Sequence, residues 1–184
     1  MQPTTRVGVR VTFLRMEERN PAPRPLPSDT GLVRLDRCSV PFYRYLYGTV
    51  GGPYVWWLRR SLADEALASI LRNPAVSVHV LYRGGEPAGF FELDATPLPV
   101  VNISYFGLMP EATGVGLGAA FLDATVEAAW CEGARAVTVN TCTADHPRAL
   151  PNYLRAGFQK MRVIEEIWDV PNRLGLVIPS HLRV

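Results

Sequence analysis

Residues 104–118 read SYFGLMPEATGVGLG, and this stretch decides the fold. It begins inside a β-branched and aromatic run, residues 100–109 (VVNISYFGLM), that reads as a strand and is stopped by Pro110. Gly114, Gly116 and Gly118 then stand at alternate positions. Behind them Leu117, Phe121, Ala124 and Ala128 form one helical stripe, broadened by Leu122, Val126 and Ala129, and Gly133 closes the helix. A strand, a glycine loop and a helix N-terminus make an anion site, because the first N–H groups of a helix are unpaired and the helix dipole adds to them. No lysine or serine follows Gly118, which excludes the phosphate loop of NTPases. Gly114, Gly116 and Ala119 also fit the Gly-x-Gly-x-x-Ala dinucleotide fingerprint. That fingerprint starts at the strand end and expects an acid closing the next strand, where this chain has Asn140-Thr141. The remaining reading is a glycine-rich turn without a ligand.

Working upstream, residues 76–82 and 88–94 alternate around Arg83-Gly-Gly-Glu-Pro87 as a hairpin. The pattern predicts a helix over 61–72 that opens on a polar Ser61-Leu-Ala-Asp64 cap, and another over 42–50. In the latter, Phe42, Tyr45 and Leu46 share a face and are expected to be structural, while Tyr43 and Tyr47 point elsewhere. Residues 32–37 alternate as a half-buried strand, read as the first strand of the core. Residues 20–27 are a proline-rich linker expected to pack poorly, and residues 7–16 an added edge strand. Downstream come a short strand at 136–141, a helix over 147–156 with an expected kink at Pro151, and a last strand at 158–168. The order predicts an α/β (α+β) fold: a mixed, mostly antiparallel central sheet of about six to seven strands flanked by helices.

The chain has 184 residues and a formal net charge of +2, which suits one domain and leaves no electrostatic footprint for nucleic acid. There is no apolar run of membrane-spanning length and no signal-like N-terminus, so the expectation is a cytoplasmic protein with no membrane partner. Three cysteines without a Cys-x-x-Cys pair, and three scattered histidines, point to neither disulfides nor a metal.

The second informative stretch is His146-Pro-Arg-Ala149-Leu-Pro-Asn-Tyr153-Leu-Arg-Ala-Gly157-Phe158. Together with the glycine loop it resembles the GNAT acetyltransferases. Those have a strand ending in proline, then Gln/Arg-x-x-Gly-x-Gly/Ala and a helix, and downstream Asn-x-x-Ala-x-x-x-Tyr-x-x-x-Gly-Phe. Thr113 and His146 depart from the pattern. The resemblance covers the second half of the chain well and the first half in element order alone. It implies one domain over 1–184: an N-terminal strand and linker (1–31), an acceptor-side half (32–100) and an acetyl-CoA-binding half (101–170). It implies transfer of an acetyl group from acetyl-CoA, a cosubstrate, to a primary amine of a small molecule or peptide, with no metal and with a homodimer left open. The alternative it implies is a non-catalytic module that binds acyl-CoA or a partner.

The roles implied by the resemblance are specific. Leu108 and Met109 would pair through their backbones with the pantetheine arm. Thr113, Gly114, Val115, Gly116, Leu117 and Gly118 would hold the pyrophosphate, and His146 would contact the arm. Tyr153 would protonate the leaving thiolate. From the residues themselves, Glu92, with Asp94 beside it at the end of the hairpin, is the candidate base for the amine. Cys142, just past a strand end, is a weaker candidate nucleophile, and His79 a half-buried strand residue. Arg148, Arg155, Lys160 and Arg162 form a basic face within reach of a terminal phosphate. The acceptor walls are expected from Tyr43, Tyr47, Trp56 and Trp57, since seven of eighteen aromatics fall within residues 42–57.

Overall fold

The computed structural model describes residues 3–184. In chain order the elements are β1 (Thr4–Met16), β2 (Thr30–Arg34), α1 (Val40–Gly51), α2 (Leu58–Ser61), α3 (Asp64–Leu71), β3 (Val76–Arg83), β4 (Glu86–Asp94) and β5 (Val100–Leu108). There follow α4 (Leu117–Cys131), β6 (Ala136–Cys142), α5 (Ala149–Arg155) and β7 (Gln159–Pro171). Seven strands form one sheet in the order β2-β3-β4-β5-β6-β1-β7. Every pair is antiparallel except β5 and β6. The predicted mixed, mostly antiparallel sheet is the observed one.

The β5–β6 pair is short. Residues 100–103 face 136–139, and beyond them the strands part. Residues 104–108 therefore have β4 on one side and no strand on the other. This opening positions the site.

Several sequence expectations are corrected. Residues 7–16 are not an edge: β1 lies between β6 and β7, with Val9 opposite Glu166 and Val11 opposite both Ile164 and Cys142. Alternating valines buried on one face, with partners on both sides, suit an interior strand as well as an edge. The proline-rich linker is mostly exposed, as expected, but it is tied down. Arg24 pins it to α4 through the buried Asp123, at 2.7 Å, and Arg19 pairs with Glu127.

In α1 the faces are exchanged. Tyr43, Leu46, Tyr47 and Val50 are buried at helical spacing, while Tyr45 is half exposed. The expected helix over 61–72 is shortened to α3, and the separate turn α2 that precedes it was not expected. Ser61 donates its hydroxyl back to Leu58, and α3 opens on Asp64 and Glu65, whose charges suit the helix dipole. No kink arises at Pro151 because α5 starts at Ala149. The proline falls in the first turn, where its N–H has no intrahelical partner to lose.

Candidate functional site

A cavity of about 1200 Å³ fills the opening between β5 and β6. It runs from the glycine loop and the start of α5 to the α1–α2 connection and the ends of β1 and β7.

The β5 wall is an unpaired sheet edge. Met109 donates its N–H to Ala88 at 2.9 Å, and its carbonyl accepts from Ala112 N–H and the Thr113 hydroxyl. In an antiparallel ladder, residues bonded to the neighbour alternate with residues facing away. Phe106 and Leu108 thus turn their backbone groups to the open side, and Met109 is turned the other way. The expectation for Leu108 finds its geometry here, while Met109 lies out of register.

The glycine loop leads into α4. Gly114 and Gly116 have φ of +84° and +87°, where side chains are strained, and a Cβ added at either would meet open space. Gly116 is the N-cap of α4 and supplies no side-chain cap. The first N–H groups of a long helix therefore face the cavity mouth uncapped, which suits a phosphate. Thr113, at the expected Gln/Arg position, does not cap this helix, because its hydroxyl closes the preceding turn on Met109. Val115 is half exposed beside the cavity, and Leu117 is buried under the loop. Arg148 and Arg155 line the same end, whereas Lys160 and Arg162 do not.

Tyr153 lines the cavity, is 6% exposed, and packs edge-on to Phe106 and Phe158. Its hydroxyl has no hydrogen-bond partner among the described residues. Burial, and then the charge of Asp145, push its pKa above the ordinary tyrosine value, so it holds its proton. His146 lines the cavity beside Tyr54, and its Nδ1 accepts the Arg148 N–H at 3.1 Å. Cys142 also lines it, but burial and then Asp145 push its thiol up to about 12, which disfavours a nucleophilic thiolate.

The expected acceptor residues divide. Tyr47, Trp56 and Trp57 line the cavity. Tyr43 does not: it is fully buried and donates its hydroxyl to Glu92. Glu92 is likewise fully buried and away from the cavity wall, with Oε1 accepting from Arg59 Nη2 at 2.5 Å. Arg59 also lies over the Tyr105 ring. A carboxylate closed into such a pair is placed to hold α2 against β4. Asp94 bonds the Thr96 N–H at the strand end, and His79 is buried, stacked on Phe91.

Sequence reasoning missed the acids that do line the cavity, Asp145 and Glu166. Asp145 Oδ2 accepts from the Thr141 hydroxyl at 2.7 Å and Cys142 N–H at 2.9 Å, and Oδ1 accepts from Trp56 Nε1 at 3.3 Å. Its signal was its place directly before His146. Glu166 depended on β1 entering the sheet interior, which carries the cavity floor out to β7.

Among the described residues no cluster of His, Cys, Asp and Glu could hold a metal ion, and no helix is long and apolar enough to cross a membrane.

Comparison with known proteins bears on this arrangement. Residues 41–158 match the model of the Acetyltransferase (GNAT) family. No curated protein sequence matches the chain. Among solved structures, a functionally unknown conserved protein from Staphylococcus epidermidis is similar at 16% identity and a TM-score of 0.65, over 90% of this chain and 63% of that one. A GCN5-related N-acetyltransferase from Kribbella flavida is similar at 15% identity and 0.62, over 90% and 60%. An aminoglycoside acetyltransferase from an uncultured soil sample, in complex with trehalose, is similar at 17% identity and 0.57, over 70% and 88%. The chain thus spans about three fifths of the first two, and these likenesses carry the fold alone.

Proposed function

Because the chain belongs to the acetyltransferase (GNAT) family, we propose that it moves an acetyl group from acetyl-CoA to the nitrogen of a small-molecule amine by direct attack. One observation supports this reading above others. An open β-edge, an uncapped glycine-lined helix N-terminus and a buried tyrosine whose hydroxyl has no hydrogen-bond partner among the described residues meet in one cavity.

Each of these fits one part of the donor. The backbone groups of Phe106 and Leu108 suit the amide-bearing pantetheine arm, which would add like a strand. The N–H groups from Gly116 onward suit the pyrophosphate, and Arg148 and Arg155 suit a terminal phosphate. His146 stands at the mouth of the arm's path. The donor, when bound, supplies a thioester carbonyl open to attack.

The protein's part is positioning and proton control. The amine loses its ammonium proton to solvent before attack; its nitrogen then forms the C–N bond as the C–S bond breaks. Tyr153 gives its hydroxyl proton to the departing sulfur, and the proton shed by nitrogen replaces it. Backbone N–H groups on the open β5 edge polarise the carbonyl oxygen. Trp56, Trp57 and Tyr47 wall the acceptor end. Asp145 and Glu166, not the closed-in Glu92, are the acids within that space.

The test is free-thiol release from acetyl-CoA with a panel of primary amines, beside thermal unfolding with the donor alone. Amine-dependent release, with donor at ~100 times its Kd adding about 2.7 kcal/mol of stability, is the expected result. Stabilisation by acetyl-CoA without release under any amine leaves a binding module. Stabilisation by a nicotinamide dinucleotide instead overturns the donor assignment.

A further inference from the structure

The cavity is lined by groups of both charges. His146, Arg148 and Arg155 line the end beside the glycine loop. Asp145 and Glu166 line the cavity beside Trp56, Trp57 and Trp168. Among the described residues neither acid takes part in an ion pair. Both are held by uncharged donors instead: Asp145 as described, and Glu166 by Trp168 Nε1 at 2.7 Å.

The contrast with Glu92 is informative. Where an acid is buried away from the cavity, the chain gives it Arg59 and Tyr43. In the cavity it leaves two half-buried carboxylates against indole N–H groups without a cation, a place that a cationic ligand can fill. The faces of those rings attract a cation as well. A second, independent sign of a ligand lies at the same place. The Tyr153 side chain is buried, lines the same cavity, and has no hydrogen-bond partner for its hydroxyl among the described residues.

The spacing can be read from the sheet. Glu166 faces Val9 across one side of β1, and Thr143 N–H bonds the Arg10 carbonyl across the other. The strands that lead to the two acids therefore flank β1, two strand spacings or about 10 Å apart, with Asp145 in the turn just beyond β6. Arg162 of β7 lies over the Phe13 ring on an exposed side chain and does not line the cavity.

We infer that the acceptor is a diamine or longer polyamine, its reacting nitrogen held at Asp145 and its remote ammonium held at Glu166 between Trp57 and Trp168. The inference rests on the acetyl-transfer reading for the first nitrogen but not for the second. The reacting nitrogen, once deprotonated, donates an N–H to Asp145. The remote nitrogen stays charged throughout, so no further bond forms or breaks there.

The experiment compares pentane-1,5-diamine, 5-aminopentan-1-ol and 5-aminopentanoate with the full chain and its Glu166→Gln variant. The glutamine still accepts from Trp168 Nε1, so the strand keeps its contact. The diamine should show a kcat/KM about tenfold or more above the amino alcohol, the size of one charge-assisted hydrogen bond, with the amino acid poorest. In E166Q the diamine-to-alcohol ratio should fall to within about twofold. A preference for the amino acid, or a ratio unaltered in E166Q, overturns the inference. If no amine releases thiol, acetyl transfer fails but the charge site is still read by unfolding. A Tm raised by the diamine in the parent and not in E166Q upholds it, and an equal shift, or none in the parent, overturns it.

Discussion

Replacing Arg59 by methionine separates two roles that Glu92 could play. Glu92 is fully buried, and Arg59 is its cationic partner, with a side chain 20% exposed. The substitution keeps the apolar stem and removes the charge, leaving the carboxylate with the Tyr43 hydroxyl alone. Breaking a buried pair from one side costs about 3–5 kcal/mol, and partial exposure of Arg59 places the loss near the lower figure. With an unfolding entropy of about 2.1 cal/mol/K per residue over this chain, about 3 kcal/mol lowers Tm by roughly 8 °C. Adding Glu92→Gln removes the uncompensated charge, so the double variant should recover most of the loss. The assay is thermal and urea unfolding of the parent, both single variants and the double, with thiol release measured well below every Tm. A loss under about 1 kcal/mol for R59M, well short of a buried pair's worth, would refute the structural assignment. So would an E92Q variant that melts like the parent yet turns over about 10²–10⁴-fold more slowly, since that is the signature of a lost base.

Tyr153→Phe should lower kcat by about 10²–10⁴-fold with little change in the KM for acetyl-CoA, and a variant within twofold of the parent shows that sulfur leaves unassisted. Because burial and Asp145 raise the Tyr153 pKa, its proton stays in place as pH rises. The parent's kcat should then hold up to about pH 10, where an ordinary tyrosine ionises, and a fall centred near pH 8 would contradict this. His79 is lowered to about 4, by burial and then by Arg34, from 6.5. Its folded value lies below its unfolded one, so stability present above pH 6.5 is lost as pH falls toward 4. His79→Phe, stacked on Phe91, should remove on the order of 3 kcal/mol of that acid-dependent loss in urea titrations at pH 7 and pH 4. Gly116→Ala should cost about 1–2 kcal/mol through its positive φ and raise the KM for acetyl-CoA about tenfold. Gly118→Ala is its control, since the added Cβ meets Leu108 at an ordinary 3.8 Å. Equal melting and equal KM in the two variants would remove the loop's backbone from the argument.

What the sequence disclosed was local. The glycine loop, the hairpin and α4 are set by spacing and turn residues within a few positions, and each stands where the pattern put it. The exchange of faces in α1 came from treating Leu46 as the partner of Phe42. The pairs at i, i+3, i+4 and i+7 from Tyr43 describe the buried stripe equally well, and only the β4–β5 surface beneath decides between them. Glu92 was legible as a strand-end acid, but its partner Arg59 sits 33 positions away on a short helix that the sequence did not indicate. Met109 failed for a similar reason: which of two neighbouring residues faces the opening depends on ladder register, which bulges shift. Asp145 and Glu166 became visible as a pair only when β1 was seen to lie between them.

That insertion of β1 has a consequence for how the protein is made. Both neighbours of β1 are synthesised long after it: Val11 must wait for Cys142 on one side and Ile164 on the other. At about 5–20 residues per second, the first strand spends roughly 10–30 s outside the ribosome before its second neighbour emerges. Throughout that time Val7, Val9, Val11 and Phe13 present an apolar, unpaired edge, of the kind that recruits other chains. The last event in assembly is thus the closing of the sheet over its own beginning, and the acid-lined part of the cavity, which straddles β1, comes into being only then. Premature termination anywhere before β7 should leave a chain that holds its glycine loop yet cannot form the acceptor site, and that turns to chaperones rather than to substrate.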